Sequence, residues 1–161
     1  MTTEIAFFAG GCFWGVEHLM KSFDGVLSVV SGYTGGTVEN PSYEQVKSHT
    51  TGHAEAVRIV FDPSKISYEN LVKGFMEIHD PTQADGQGPD IGPQYRSEIF
   101  YTTPAQRQIA LDVIHLLKQK GYNVVTRVTP AGKFWTAEEY HQNYYARKGT
   151  VPYCHRRIKR F

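Results

Sequence analysis

Ile5-Ala6-Phe7-Phe8-Ala9-Gly10-Gly11-Cys12-Phe13-Trp14-Gly15 is the stretch from which the rest of the chain is read. Its first five residues form a short apolar run that ends at Gly10-Gly11, the pattern of a buried strand. Beyond it Val16, Leu19, Met20 and Phe23 recur with the spacing of one apolar helix face, predicting a helix over 14–24 that Gly25 ends. Cys12 therefore falls where a strand turns into a helix. Unpaired N–H groups and the positive end of the helix dipole gather there, and both favour thiolate over thiol. Gly10 and Gly11 permit backbone angles closed to other residues and let a substrate approach. Phe13 and Trp14 follow at once and cannot both be wholly buried on one helix start, so an aromatic surface is expected beside the sulfur. Buried cysteines are often inert, and position alone does not separate a nucleophile from a structural thiol. A phosphate loop is disfavoured, because no Lys-Ser/Thr follows and a cysteine takes the middle glycine position.

Working outward, residues 26–33 read as a second strand rich in Val, broken by Gly32-Tyr33-Thr34-Gly35-Gly36, with a short helical turn near Tyr43 to follow. Residues 53–61 form a third strand. Its period of two puts His53, Glu55, Val57, Ile59 and Phe61 on one face. A carboxylate among large apolar side chains is costly to desolvate, so the Glu55 pKa should rise and the residue could serve as a general acid. A wet or salt-bridged glutamate at a frayed strand end fits the same pattern. His53-Ala54-Glu55 has the H-x-E form of zinc deaminases, without their P-C-x-x-C partner.

Ser67 caps a helix with Tyr68, Leu71, Val72 and Phe75 on its apolar face, ending near His79. A long loop spans 82–95, of a length that is usually functional or disordered. Residues 96–102 read as a fourth strand. Thr103-Pro104-Ala105-Gln106 is a capping box that opens a helix ended by Gly121. Residues 123–128 read as an edge strand, and Thr136-Ala137-Glu138-Glu139 as a second capping box opening a helix to about 147. The order strand, helix, strand, strand, helix, strand is the split β-α-β, ferredoxin-like plan. The expected class is α+β, a two-layer α/β sandwich with extra helices and one sheet face left to loops.

At 161 residues the chain is read as one domain over 1–161, with a C-terminal tail from about 148. A net charge of +1 with interspersed signs gives no electrostatic footprint for nucleic acid. No apolar run reaches the roughly 20 residues of a membrane span, and the short N-terminal run lacks the basic leader of a signal peptide, so a cytoplasmic protein is expected. The basic run Arg156-Arg157-Ile158-Lys159-Arg160 reads as a solvated tail. Cys12 and Cys154 are the two cysteines, with no zinc-ligand spacing. In a reducing compartment they suit a transient, catalytic disulfide better than a permanent one. Gly149 and Pro152 break the chain before Cys154, and Arg156 and Arg157 should favour its thiolate. Ten tyrosines offer hydroxyls for a polar group held in an apolar pocket.

Gly10 to Gly15 resembles the nucleophile loop of the A-class peptide methionine sulfoxide reductases, and the resemblance runs along nearly the whole chain. Gly32-Tyr33-Thr34-Gly35-Gly36 resembles the family's glycine turn. Pro41-Ser42-Tyr43-Glu44-Gln45-Val46 and Asp90-Ile91-Gly92-Pro93-Gln94-Tyr95-Arg96-Ser97 resemble its two tyrosine segments. Gly52-His53-Ala54-Glu55-Ala56-Val57 resembles its acid-bearing strand, and Ala137-Glu138-Glu139-Tyr140-His141-Gln142 its late helix. Pro152-Tyr153-Cys154 with a basic tail departs from the family's frequent Gly-Tyr-Cys and glycine-rich end.

The resemblance implies Cys12 as nucleophile, Glu55 as acid, and Tyr43 and Tyr95 as hydroxyl donors to a sulfoxide oxygen. It implies Phe13 and Trp14 as the pocket for an S-methyl group and Asp90 as an orienting residue. The activity implied is reduction of the S epimer of methionine sulfoxide, in proteins or as the free amino acid, in repair of oxidative damage. Thiolate attack leaves a sulfenic acid on Cys12. Cys154 is expected to resolve it to a disulfide, which thioredoxin reduces. No metal, flavin or nicotinamide bound to the protein is required, and a monomer is expected. Two other readings remain at this stage. One is a Cys–His hydrolase or acyltransferase using Cys12 with His53 or His141. The other is a non-enzymatic module presenting Phe13 and Trp14 as a binding patch.

Overall fold

The structure, a computed structural model, describes residues 2–150, 152 and 155–161. The chain begins with β1 (Glu4–Gly10), α1 (Phe13–Met20), β2 (Val26–Thr34), α2 (Tyr43–Lys47), β3 (Ala54–Phe61) and α3 (Tyr68–Ile78). A two-residue hairpin pair, β4 (Gly86–Gln87) and β5 (Asp90–Ile91), and a 3-10 turn (Pro93–Tyr95) precede β6 (Ser97–Tyr101) and α4 (Pro104–Gln119). Then come β7 (Arg127–Pro130), β8 (Trp135–Thr136), a second 3-10 turn (Glu139–His141) and α5 (Tyr144–Lys148).

The main sheet runs β7-β6-β1-β3-β2-β8. Its inner four strands, β6-β1-β3-β2, are antiparallel throughout, and β1 and β2 are separated by β3. This is the split β-α-β arrangement that the element order predicts. Alternation along the strands decides the two faces. Ala6 and Phe8 of β1 and Val57, Ile59 and Phe61 of β3 join the core beneath α1, α3 and α4. Phe8 stacks on Phe75 of α3 at 4.6 Å. Ala9, Ala54 and Ala56 point the other way, where Phe134 and Ala131 from the segment after β7 cover them. Small residues on that face let the loop lie close to the sheet.

Several helix starts follow the sequence. Ser42 forms a full capping box with Gln45, and Ser67 accepts from the N–H of Asn70. Thr103 accepts from Gln106, whose own side chain accepts from the N–H of Thr102 rather than that of Thr103. Element bounds are corrected at four places. The helix expected over 14–24 is regular only to Met20, because i+3 bonds from Ser22 to Leu19 and from Phe23 to Met20 tighten its last turn. The long loop of 82–95 is ordered by its own hairpin and 3-10 turn. The edge strand begins at Arg127, since Val125 donates instead to the carbonyl of Pro81, and it runs parallel to β6. Residues 136–147 are not one helix: Thr136 pairs with Gly32 at the sheet edge, and a left-handed Asn143 (φ 56°) separates the 3-10 turn from α5.

The basic chain end is no solvated tail. Glu77 of α3 accepts from the Arg157 guanidinium at 3.0 Å and from the N–H of Arg160 at 2.9 Å. Arg160 also caps α3 through the carbonyl of Met76. The charges are exposed on one side, but the backbone of residues 155–161 is held against α3. None of the described helices is long and apolar enough to cross a membrane.

Candidate active site

Cys12 is the N-cap residue of α1, with an extended backbone and a carbonyl that accepts from Gly15 and Val16. Its side chain is 8% exposed. The turn is made possible by Gly11, whose φ of +94° is a region other residues rarely adopt. The strand–turn–helix therefore places the sulfur at the positive end of the helix, as the sequence predicts.

Glu55 of β3 reaches the same helix end and is 2% exposed. Its Oε1 accepts the N–H of Phe13 at 3.2 Å, so the carboxyl caps the same helix end that carries Cys12. Burial pushes its pKa up to about 8; the Phe13 bond acts in the opposite direction and the Asp90 charge in the same one. Burial likewise raises the Tyr43 and Tyr95 hydroxyls, each with further upward pushes from Glu55 and Cys12. At neutral pH both phenols are proton donors, and both sit within the electrostatic reach of the cysteine and the glutamate. Tyr43 is delivered by the first residue of α2 and Tyr95 by the last residue of the 3-10 turn, which the His49–Gln94 contact steadies at 2.6 Å.

An aromatic cluster forms the other wall. His141 is fully buried, with Tyr43, Phe13 and Trp14 centred at 4.4, 5.1 and 5.7 Å from its ring. Trp14 donates its indole N–H to His141 Nδ1 at 2.9 Å, which puts the proton of the neutral imidazole on Nε2. Burial holds the His141 pKa below its ordinary value, and Nε2 has no hydrogen-bond partner among the described residues. Trp14 is half-buried and stacks on Tyr144 at 3.8 Å, nearly parallel. Phe13 is completely buried. Of the two aromatic residues, Trp14 has a face toward solvent and Phe13 backs the cluster.

Residues 4–161 match the family model described as peptide methionine sulfoxide reductase. The chain belongs to the peptide methionine sulfoxide reductase family. Among its relatives is peptide methionine sulfoxide reductase MsrA 1 of Rhodopirellula baltica, 50% identical over 152 residues, which cover 94% of this chain and 79% of that protein. MsrA of Methanosarcina acetivorans is 46% identical over 160 residues, 98% of this chain and 85% of that one. Among solved structures, Mxr1 of Saccharomyces cerevisiae in reduced form superposes with a TM-score of 0.91 at 31% identity, covering 96% and 92% of the two chains. Methionine sulfoxide reductase A of Corynebacterium diphtheriae gives 0.85 at 35% identity, covering 94% and 77%. Mxr1 in complex with Trx2 shares the fold, with a TM-score of 0.66 at 24% identity, covering 96% and 89%. This chain is thus an oxidoreductase of the methionine sulfoxide reductase family.

The residues singled out in the sequence gather at one end of the sheet. Cys12, Glu55, Tyr43, Tyr95 and Asp90 influence one another electrostatically, and Trp14 flanks them. Cys154 lies outside the described residues. His53 is committed elsewhere, its Nδ1 accepting from Gly36 and its Nε2 meeting the carbonyl of Val38. No group of three His, Cys, Asp or Glu is placed to hold a metal among the described residues. Two residues that contact this candidate site were not singled out as site residues from sequence. Glu138 accepts from the Tyr33 hydroxyl at 2.8 Å and from the N–H of Tyr43 at 3.0 Å, tying the sheet to α2. Burial alone would raise its carboxyl, but those donors hold it below the usual range. His155, 4% exposed, meets the carbonyl of Gly10 through Nε2 at 2.7 Å. Glu138 stands beside the equally charged Glu139, so nothing local marks it as the inward one, and nothing local marks His155.

Proposed function

We propose that the protein reduces the S epimer of methionine sulfoxide, in proteins and as the free amino acid, by thiol chemistry centred on Cys12. The observation that carries this reading is the glutamate bonded to the N–H of Phe13, a carboxyl whose burial keeps it protonated near neutral pH at the helix end bearing the sulfur. Reduction of a sulfoxide needs a nucleophile at sulfur and a proton at oxygen. The Cys12 thiolate attacks sulfur while Glu55, with the Tyr43 and Tyr95 hydroxyls, protonates oxygen. The S–O bond breaks, the oxygen passes to Cys12 as sulfenic acid, and methionine leaves. Trp14 receives the S-methyl group and Asp90 orients the site.

The sulfenic acid then condenses with the Cys154 thiol, releasing water and forming a disulfide. That His155, the next residue in the chain, is seated on the carbonyl of Gly10 supports this assignment. Two electrons from a dithiol restore both cysteines. The complex of yeast Mxr1 with Trx2 makes thioredoxin the reductant to test.

Separated sulfoxide epimers should be given to the wild-type protein and to Cys12→Ser and Cys154→Ser, with dithiothreitol or thioredoxin. The wild type should consume the S epimer alone. Cys12→Ser should be inactive with either reductant. Cys154→Ser should release one methionine per enzyme, hold a dimedone-trappable sulfenic acid and lose thioredoxin-supported turnover. Turnover by Cys12→Ser rejects the nucleophile. Thioredoxin recycling of Cys154→Ser at the wild-type rate makes Cys154 a bystander.

A further inference from the structure

The 10–15 turn is built around a residue 145 positions away in sequence. The imidazole of His155 fills the space that a side chain at Gly15 would occupy, and shares with Gln87 the space beside Gly11. A Cβ on Gly15 would collide with His155 Nδ1, whereas one on Gly11 would meet the Gln87 side chain first, at 2.5 Å, and His155 Nε2 at 3.1 Å. The ring is thus in contact with the backbone on both sides of Cys12, and Nε2 meets the carbonyl of Gly10, the last residue of β1. Because a carbonyl can only accept, Nε2 carries the proton and donates. The chain beyond it is clamped: Ile158 donates to the carbonyl of Glu77 at 2.8 Å, and the buried Glu77 carboxylate takes Arg157 and the N–H of Arg160. The charged and titratable groups near the ring include Asp90 of β5 and His79 at the end of α3.

We propose that His155 is a positioning residue for Cys12: its imidazole wedges the 10–15 turn so that the sulfur stays at the N-terminus of α1 and the N–H of Phe13 stays on Glu55. The proposal rests on the reading of Cys12 as the nucleophile. At Gly11 the Gln87 side chain already stands against the backbone, but Gly15 leaves a gap that the imidazole fills. Without the imidazole the turn can relax into it, and the cysteine leaves the helix field while the acid loses its tether. A clamped chain end is what keeps the wedge in place. In this view Gly15 is required because a ring from the far end of the chain packs against it.

The test uses the Cys154→Ser chain, in which alkylation reports Cys12 alone. His155→Ala and His155→Gln are compared with that parent for the pH profile of Cys12 alkylation by iodoacetamide and for the single-turnover rate on S-methionine sulfoxide. His155→Ala should move the alkylation profile upward by about one pH unit and slow the single turnover by about 10- to 10²-fold. His155→Gln, which keeps an N–H donor, should recover most of both. A His155→Ala chain with profile and rate within twofold of the parent overturns the proposal. Should His155→Ala melt below the assay temperature, Gly15→Ala is the second arm. It displaces the ring without deleting it, and should produce the same alkylation shift; an unshifted profile overturns the proposal as well. Alkylation needs no sulfoxide, so a parent that alkylates normally but reduces nothing would sink the proposed function without deciding the role of His155.

Discussion

Glu55 is a residue whose environment and use require each other. Its carboxyl would be ionised near neutrality in an unfolded chain, but removal from water leaves it titrating at about 8. The Phe13 N–H, which favours the ionised form, does not offset the loss of water. A proton is therefore available at the sulfoxide oxygen over the pH range in which a cysteine at a helix start can also be a thiolate. Replacing Glu55 by Gln keeps an oxygen for Phe13 and removes the proton. The single-turnover rate should fall by about 10²–10⁴-fold, with little change in substrate affinity. The wild-type rate should decline as pH rises through about 8, where Glu55 ionises, and the Gln variant should lack that alkaline decline. Rapid-quench measurement of methionine release from pH 6 to 10 distinguishes the two profiles. A variant within a few-fold of wild type would move the proton donor to Tyr43 or Tyr95.

At the scale of elements, segments held by local rules match their sequence and segments held by distant partners do not. The strand–turn–helix around Cys12 and the alternation of β3 were both legible, because period and glycine placement decide them within ten residues. The second capping box does not form, for a physical reason. In a capping box Glu139 would reach back to the N-cap, but Glu139 is exposed. Glu138 instead turns inward to Tyr33 and Tyr43, and Gln142 bonds the N–H and carbonyl of Ser31. Tertiary partners outbid the local cap, and Thr136 was drawn into the sheet. The two glutamates can be told apart by mutation. Glu138→Ala leaves the fully buried Tyr33 hydroxyl without its acceptor, at a cost of about 1–3 kcal/mol. It also frees the start of α2, so catalytic efficiency should fall along with stability. Glu139→Ala should stay within about 0.5 kcal/mol of wild type. Urea unfolding of both variants measures the difference, and equal losses would restore the helical capping reading.

Across the whole molecule, the buried titratable groups set how stability depends on pH. Glu55 is protonated longer in the folded chain than in the unfolded one, so the stability it contributes is present in full below about 4.5 and is lost as pH rises to about 8. The buried histidines act with the opposite sign. His79, held neutral by burial between the carbonyl of Phe75 and the hydroxyl of Ser97, titrates at about 3 rather than near 6.5. Burial also lowers His141 and His155. Their contribution is present above about 6.5 and is lost as pH falls, because the unfolded chain takes up protons that the folded chain refuses. Between about 4.5 and 6.5 Glu55 and His79 act in opposite directions and His141 and His155 act with His79, and from there to about 8 Glu55 is the one of these four that still acts. The melting temperature should therefore peak near pH 6.5 and fall on both sides. Each tenfold change in acidity corresponds to about 1.4 kcal/mol, so the alkaline limb should be readily measured. Glu55→Gln should erase that limb and leave the acid one, gaining on wild type from pH 5 to about 8 and levelling off beyond it. Parallel melting curves for the two proteins above pH 7 would mean that Glu55 is ionised in the folded chain, which would remove both the alkaline limb and the proton donor that the proposed chemistry requires.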